Sequence, residues 1–368
     1  MDYHHPDDRK NILGDLQRLR NHITQENYDR NETFNFLMTA WNKVSDPLWY
    51  LGYWDDYYEC ANLVLKCAKQ INQNEALGQV LNEIGWNEME NGELKKAKQR
   101  FTQALKKYRA TPDGIVGQCR TLRYLGTLYH RQRRFGSALK CYRKALILMD
   151  ENKKLVVESR QIASERAEIH NVLGNLCLKL YDFNNCKSKL LYSLEQYELL
   201  HKNFNQEMGD FYLYFQGAPL LNLGRLHFEI CEFKLAREYY NKCLYLCRQI
   251  HRPDMEAGAL IRLAELAKLE GNQSEAINLT KMAEELTKDK ARPVRDHAHY
   301  VKTNDVKTTT NNNRKSYLTF KLDYILQIII FVTDLLIFAP FTAWRYANNL
   351  LHRRRRTTSS RSRSASGN

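Results

Sequence analysis

Small and bulky apolar positions recur five times along the chain with the same internal spacing. Each copy opens with an apolar residue followed by Gly or Ala. A small residue comes twelve positions later, a bulky residue follows four positions on, and a second small residue follows after three more. The copies are Ile84, Gly85, Ala97, Phe101 and Ala104; Leu125, Gly126, Ala138, Tyr142 and Ala145; Leu173, Gly174, Cys186, Leu190 and Ser193; Leu223, Gly224, Ala236, Tyr240 and Cys243; and Leu263, Ala264, Ala276, Thr280 and Ala283. A fixed period of this kind indicates repeats of one supersecondary unit.

The twelve-residue step gives one helix room to end, turn and be followed by a second helix. Turn-forming residues stand inside that step, for example Asn91 with Gly92 and Gly271 with Asn272. Small residues are needed where two helices cross closely, since a larger side chain would push the axes beyond about 8–10 Å. We expect the bulky residue of each copy to fill the gap to the next pair.

This pattern resembles the tetratricopeptide repeat. The resemblance is fullest in the second copy, at Leu122, Leu125, Gly126, Tyr129, Ala138, Tyr142 and Ala145. It implies an all-α fold, a right-handed superhelical array of about six helix pairs. The sixth pair is a degenerate unit at the start, whose second helix carries Tyr57, Cys60, Val64 and Cys67 and whose first helix covers about 33–45 and ends before Pro47.

The repeated glycine or alanine lies at 85, 126, 174, 224 and 264, so the steps exceed the family's basic period of about 34 residues. The longer steps resemble the long-helix variant found in sensor arrays of signalling ATPases and in kinesin light chains. The chain has no G-x-x-x-x-G-K-[ST] sequence, so the resemblance covers the array and not a nucleotide-hydrolysing module.

We divide the chain into an N-terminal cap (1–32), the repeat domain (33–290), a polar linker (291–322), a hydrophobic segment (323–350) and a basic tail (351–368). Within the hydrophobic segment, 324–344 holds one charged residue, Asp334. As a helix, 21 residues span about 30 Å, which is the thickness of a bilayer core. We therefore expect a C-terminal transmembrane helix. A re-entrant hairpin and a buried soluble helix are the alternatives.

Asp334 bears on how that segment behaves. An aspartate at the centre costs about 2.5–3.5 kcal/mol, and the twelve Ile, Leu, Phe and Val residues contribute about −5 kcal/mol together, so insertion stays favourable. On a helix Asp334 and Gln327 belong to one narrow polar stripe, which predicts pairing with a second membrane helix, including self-association.

The positive charge is distributed unevenly along the chain. From Val301 onward, 12 Lys and Arg stand against 3 Asp, so more than half of the formal net charge of +14 belongs to the last part of the chain. A basic tail suits a membrane surface or nucleic acid. The N-terminus lacks an apolar signal region, so we expect the array in the cytoplasm and the protein at a membrane. The nine cysteines include no C-x-x-C, and Cys60, Cys67, Cys186 and Cys243 take small packing positions.

No catalytic motif, metal site or cofactor site is found in the sequence, and no enzyme activity is expected. Function is instead expected on the concave face lined by the first helix of each pair. The residues predicted to bind a partner there are Trp86, Arg120, Arg123, Thr127, His130, Arg131, Asn175 and Arg225. Their charge favours a protein or peptide partner of acidic character. The sequence thus predicts a membrane-anchored, non-enzymatic scaffold, with a soluble nucleic-acid-associated adaptor as the alternative.

Overall fold

The computed structural model describes residues 14, 17, 18, 21, 30–50, 54–111, 114–152 and 160–287. The chain divides into two units, Met1–Lys307 and Thr308–Asn368, and every described residue belongs to the first. The predicted linker and basic tail and the hydrophobic segment with Gln327 and Asp334 lie outside the described residues. Among the described helices, none is both long enough and apolar enough to cross a membrane.

Twelve helices and no strands make up the part of the chain that the structure describes, which confirms the all-α prediction. They are α1 Arg30–Tyr50, α2 Trp54–Ile71, α3 Asn74–Glu90, α4 Leu94–Arg109, α5 Ile115–Arg131, α6 Phe135–Glu151, α7 Arg160–Lys179, α8 Phe183–Met208, α9 Leu213–Glu229, α10 Phe233–Gln249, α11 Pro253–Leu269 and α12 Gln273–Thr287.

The helices pack as six sequential pairs, α1 with α2 through α11 with α12, and each pair then packs on the next. The odd-numbered helices, which we call the first helices, also contact one another along the array, as α5 does with α7 and α9 with α11. A single pair cannot cover its own apolar face, so the core is continuous from pair to pair.

The predicted end of the first helix before Pro47 is wrong. Helix α1 continues through this position to Tyr50. A proline inside a helix removes one backbone hydrogen bond and costs about 3 kcal/mol or more in isolation. Continuing the helix places Leu48 in the core, where its side chain is fully buried with Leu37 and Trp41. This tertiary burial offsets the local penalty.

The repeated glycine lies directly against the repeated bulky residue of its own pair. A Cβ built on Gly126 would lie 2.3 Å from the Tyr142 ring, and one built on Gly224 would lie 2.3 Å from the Tyr240 ring. Gly85 faces Phe101 and Gly174 faces Leu190 in the same way, at 2.8 and 2.6 Å. The bulky side chain therefore enters a notch in the first helix of its own pair.

The prediction that these bulky residues fill only the gap to the next pair is therefore incomplete. Phe101 does reach the next pair, since its ring centroid is 5.5 Å from that of Tyr124 on α5. Its closer neighbour is the backbone at Gly85 in its own pair. The fifth copy fits the same logic, because Ala264 replaces the glycine and the smaller Thr280 replaces the aromatic residue, and both are buried.

The turn inside each pair repeats one backbone conformation. Seven residues after the repeated Gly or Ala, all five copies have positive φ, at Gly92, Arg133, Tyr181, Cys231 and Gly271. Glycine adopts this left-handed region without cost, whereas a residue with a Cβ is strained there by about 1–2 kcal/mol. Three copies therefore carry strain that the first and fifth copies avoid.

The four cysteines predicted at small packing positions are buried. Cys60 and Cys67 lie in the core of the first pairs, and Cys186 and Cys243 are fully inaccessible to solvent. All nine cysteines are free thiols. Burial raises the pKa of Cys186 to about 12, so this thiol is not a reactive thiolate at neutral pH.

Candidate partner-binding surface of the first helices

The predicted partner-binding residues all lie on first helices, four of which carry them. Trp86 on α3 packs its ring 4.7 Å from that of Tyr124 on α5. The Thr127 hydroxyl lies 3.3 Å from the Tyr142 hydroxyl, so it belongs to the notch around Gly126. Both are half-buried. Both side chains are uncharged, so the charge of the surface comes from other residues.

Arg123 is a buried structural residue. Its Nε donates to Glu165 Oε1 at 2.5 Å and its Nη2 to Glu165 Oε2 at 3.2 Å, while Nη1 lies 3.8 Å from Glu168. Arg120 Nε reaches the same Glu165 at 3.3 Å. The nearby carboxylates hold the pKa of the Arg123 guanidinium well above its ordinary value against the opposing effect of burial. These two arginines hold α5 to α7.

Arg131 is also engaged within the chain. One of its nitrogens donates to the Met89 carbonyl at 3.1 Å, and another pairs with the Glu90 carboxylate. These contacts tie the end of α5 to the end of α3. Three of the four predicted arginines therefore have acidic partners in the chain itself, and their charge is largely neutralised before any ligand arrives.

Neutral polar side chains that were not predicted from the sequence also join the first helices. Asn82 Nδ2 donates to the Thr121 hydroxyl at 2.9 Å, and Asn222 Nδ2 donates to Asn171 Oδ1 at 3.0 Å. All four side chains are buried. A sequence signal existed: Asn82, Arg123 and Asn171 each stand three residues before the repeated glycine, where a polar residue interrupts an apolar helix face.

Arg225 differs from the other predicted arginines. Its Nη1 donates to two amide oxygens, Asn222 Oδ1 at 3.1 Å and Asn175 Oδ1 at 3.4 Å. No carboxylate among the described residues lies within 4 Å of it. Burial and the neighbouring Arg262 lower the pKa of this guanidinium. Asn175, another predicted residue, thus lies in direct contact with Arg225.

Lys179, which was not among the predicted residues, ends α7 one helical turn after Asn175, the residue that contacts Arg225. It too has no carboxylate within 4 Å in the part of the chain that is described. Burial and then Arg225 lower its pKa, opposed by Glu229. Its position could have been found, because the residue five after the repeated glycine is charged in four copies: Glu90, Arg131, Lys179 and Glu229.

His130 is a second neutral residue of this group, besides Asn175. Its ring stands edge-on to Phe135, with centroids 5.6 Å apart. Burial, followed by Lys179, Arg225 and Arg131, lowers the pKa of the imidazole to about 4. The ring is therefore uncharged at neutral pH. We call Lys179, Arg225, Asn175 and His130 the cation cluster.

Among the described residues, no group of three or more His, Cys, Asp and Glu side chains is arranged to hold a metal ion. The cation cluster supplies hydrogen-bond donors and positive charge, and such a set binds anions.

Comparisons with known proteins address the fold. The family model described as "Tetratricopeptide repeat" matches residues 219–250, which cover most of α9 and all of α10. No curated protein sequence matches the chain.

Solved structures resemble the chain at low sequence identity. A Rap protein complexed with Competence and Sporulation Factor is 12% identical, with a TM-score of 0.50 over 76% of this chain and 77% of that one. BtubC (BKLC) from P. vanneervenii is 18% identical, with a TM-score of 0.46 over 64% of this chain and 91% of that one. Aspartyl phosphate phosphatase F from Bacillus subtilis is 14% identical, with a TM-score of 0.47 over 87% and 80%. At such identities the likeness shows the fold alone.

Proposed function

We propose that this chain, a protein of tetratricopeptide-type helical repeats, is a non-enzymatic adaptor that binds an anionic segment of a partner protein. The family match and the Rap-type fold confirm the resemblance seen in the sequence. The observation that supports the anionic partner is the pair of cations, Lys179 and Arg225, neither of which has a carboxylate within 4 Å among the described residues. The proposal includes a membrane anchor at 323–350.

The site is centred on the cation cluster for an electrostatic reason. A ligand carboxylate approaching Arg123 would compete with Glu165, which already accepts its hydrogen bonds, and with Glu168, which lies 3.8 Å from Nη1. A ligand approaching Arg225 competes only with neutral amide oxygens. Charge-assisted hydrogen bonds are about twice as strong as neutral ones, so the exchange at Arg225 favours the ligand.

An extended peptide suits the surface that the first helices form together. Successive first helices present Trp86 and Tyr124 as half-buried rings, and Asn175 presents an amide. Aromatic faces and amides bind peptide side chains and backbone with little loss of rotamer freedom. The Rap protein of the same fold was crystallised as a complex with Competence and Sporulation Factor, so one array of this type binds a separate factor.

The test is a peptide array probed with the full chain in detergent. We expect acidic peptides to be enriched over basic ones, and Arg225→Gln and Lys179→Gln each to weaken binding about tenfold. Arg143→Gln is the matched control, because Arg143 is exposed on the second helix α6 and its loss removes the same charge away from the cluster. Equal binding of acidic and basic peptides, or equal binding by all three variants, would refute the anionic-partner proposal.

The membrane part is tested separately by fractionation. We expect the full chain to sediment with membranes and a chain ending at Lys315 to remain in the supernatant. If both stay in the supernatant after high-speed centrifugation, the anchor proposal fails while the binding proposal stands. A membrane-helix dimerisation assay on 318–350 tests pairing through Gln327 and Asp334, and Asp334→Leu should weaken association by about 1 kcal/mol.

A further inference from the structure

We propose that Lys179, Arg225 and Asn175 form a binding site for a phosphate monoester. This inference rests on the proposed function, since it names the anion that the same surface takes. Phosphorylated residues of a partner protein and free phosphorylated small molecules share this chemistry.

The three side chains offer hydrogen-bond donors in excess. Arg225 uses Nη1 for the two asparagine oxygens, and its Nε and Nη2 have no partner in the described part of the chain. Lys179 Nζ and Asn175 Nδ2 likewise have none there. Asn175 Oδ1 is already occupied by Arg225, so this amide presents its N–H₂ group outward. Free donors and occupied acceptors match a ligand that only accepts hydrogen bonds.

A phosphate monoester fits this set better than a carboxylate. It presents three strong acceptor oxygens and about −1.5 to −2 charge at neutral pH. Two oxygens can take the guanidinium N–H groups of Arg225 side by side, and the third remains for Lys179 or Asn175. A carboxylate has two oxygens and one charge, so it leaves one of the two cations without a partner.

Repulsion between the cations of the cluster favours a ligand with two negative charges. Arg225 and Lys179 come from successive first helices, and the charge of Arg225 disfavours the charged form of Lys179. Arg262 adds positive charge but is paired with Glu265 at 2.7 Å, and Arg131 is paired with Glu90. Glu229 and Glu265 are the acidic groups acting on Arg225. Neither approaches it within 4 Å, so two positive charges remain to be balanced by the ligand.

Three short peptides of one sequence, carrying phosphoserine, glutamate or serine at the centre, separate the possibilities. Their affinities for the full chain in detergent are measured by calorimetry at pH 7.5 and constant ionic strength. We expect the phosphoserine peptide to bind at least about tenfold more tightly than the glutamate peptide. Arg225→Gln and Lys179→Gln should remove this preference, whereas Arg225→Lys should keep part of it and Arg143→Gln all of it.

A second measurement locates the site. Binding near Lys179 and Arg225 should shift the NMR signals of the His130 ring, which those cations influence. The affinity of inorganic phosphate is then compared with that of the phosphoserine peptide. Much tighter binding of the peptide indicates that the natural ligand is a phosphorylated protein. Equal affinities indicate a phosphorylated small molecule. Equal affinity for the phosphoserine and glutamate peptides, or no binding of either phosphate compound, overturns the inference.

The peptide array and the phosphoserine measurement test the adaptor function and the phosphate site separately. Acidic peptides enriched on the array together with no preference for phosphoserine would leave the adaptor function standing and remove the phosphate site. Phosphoserine binding lost in Arg225→Gln, together with no enrichment of acidic array peptides, would retain the phosphate site and remove the general acidic partner.

Discussion

Replacing Gly126 by alanine tests the packing rule that generates the repeat. The added methyl carbon would lie 2.3, 2.6 and 2.9 Å from three carbons of the Tyr142 ring. Carbon atoms in contact prefer about 3.5–4.0 Å, so the ring or the helix must move by about 1 Å. Tyr142 is fully buried, and its hydroxyl lies 3.3 Å from that of Thr127, so the ring has little room to move.

Two opposing effects set how much Gly126→Ala changes the free energy of unfolding. Overpacking a tight core costs about 1–3 kcal/mol, whereas alanine in place of glycine gains up to about 1 kcal/mol of helix propensity. We expect Gly126→Ala to lower the free energy of unfolding by about 1–2 kcal/mol. The matched control is Gly136→Ala in α6, where a Cβ meets nothing within 4 Å and only the propensity gain applies.

The assay is urea denaturation followed by helical circular dichroism, with a double-mutant cycle through Tyr142→Thr. The fifth copy already pairs alanine with threonine at Ala264 and Thr280. In the Tyr142→Thr background the methyl group no longer clashes, so Gly126→Ala should become neutral or stabilising, a coupling of about 2 kcal/mol. The packing explanation is refuted if Gly126→Ala costs the same in both backgrounds, or if it stabilises as much as Gly136→Ala.

Three further predictions concern strain, buried charge and pH. Arg133→Gly should stabilise the chain by about 0.5–1 kcal/mol in the same denaturation assay, because Arg133 is exposed with φ of 58°, and Gly92→Ala at the equivalent turn should destabilise it. Arg123→Met should cost about 3–5 kcal/mol by leaving buried Glu165 without its main partner, and adding Glu165→Met should recover part of the loss; no recovery would contradict the ion-pair explanation. The pKa values of His130 and His170 are both lowered to about 4, so the unfolded state binds more protons below about pH 6.5 and stability should fall from there toward pH 4. The free energy of unfolding, measured across this pH range, should fall less steeply in His130→Gln and His170→Gln. Unchanged slopes would show that other groups cause the loss of stability at low pH.

Much of the fold follows from the sequence because its information is local and repeated. The spacing from Gly126 to Ala138 and Tyr142 is enough to predict a helix, a turn and a second helix, and five copies remove the ambiguity of any single one. The failure at Pro47 shows the limit of local reasoning. Propensity ends a helix at proline, but the burial of Leu48 in the core of the first pairs outweighs that preference.

The sequence also determined which helices carry the candidate site, because polar residues interrupt the apolar faces of the first helices. It could not determine which charges are available to a ligand. Arg120, Arg123 and Arg225 look alike in the sequence, yet Glu165 stands 42 residues after Arg123 and meets it only when α7 packs on α5. Coulomb interactions fall off with distance in space and not along the chain. The tertiary structure therefore decided that Arg123 holds two helices together, whereas Arg225 contacts amide oxygens and has no carboxylate within 4 Å among the described residues.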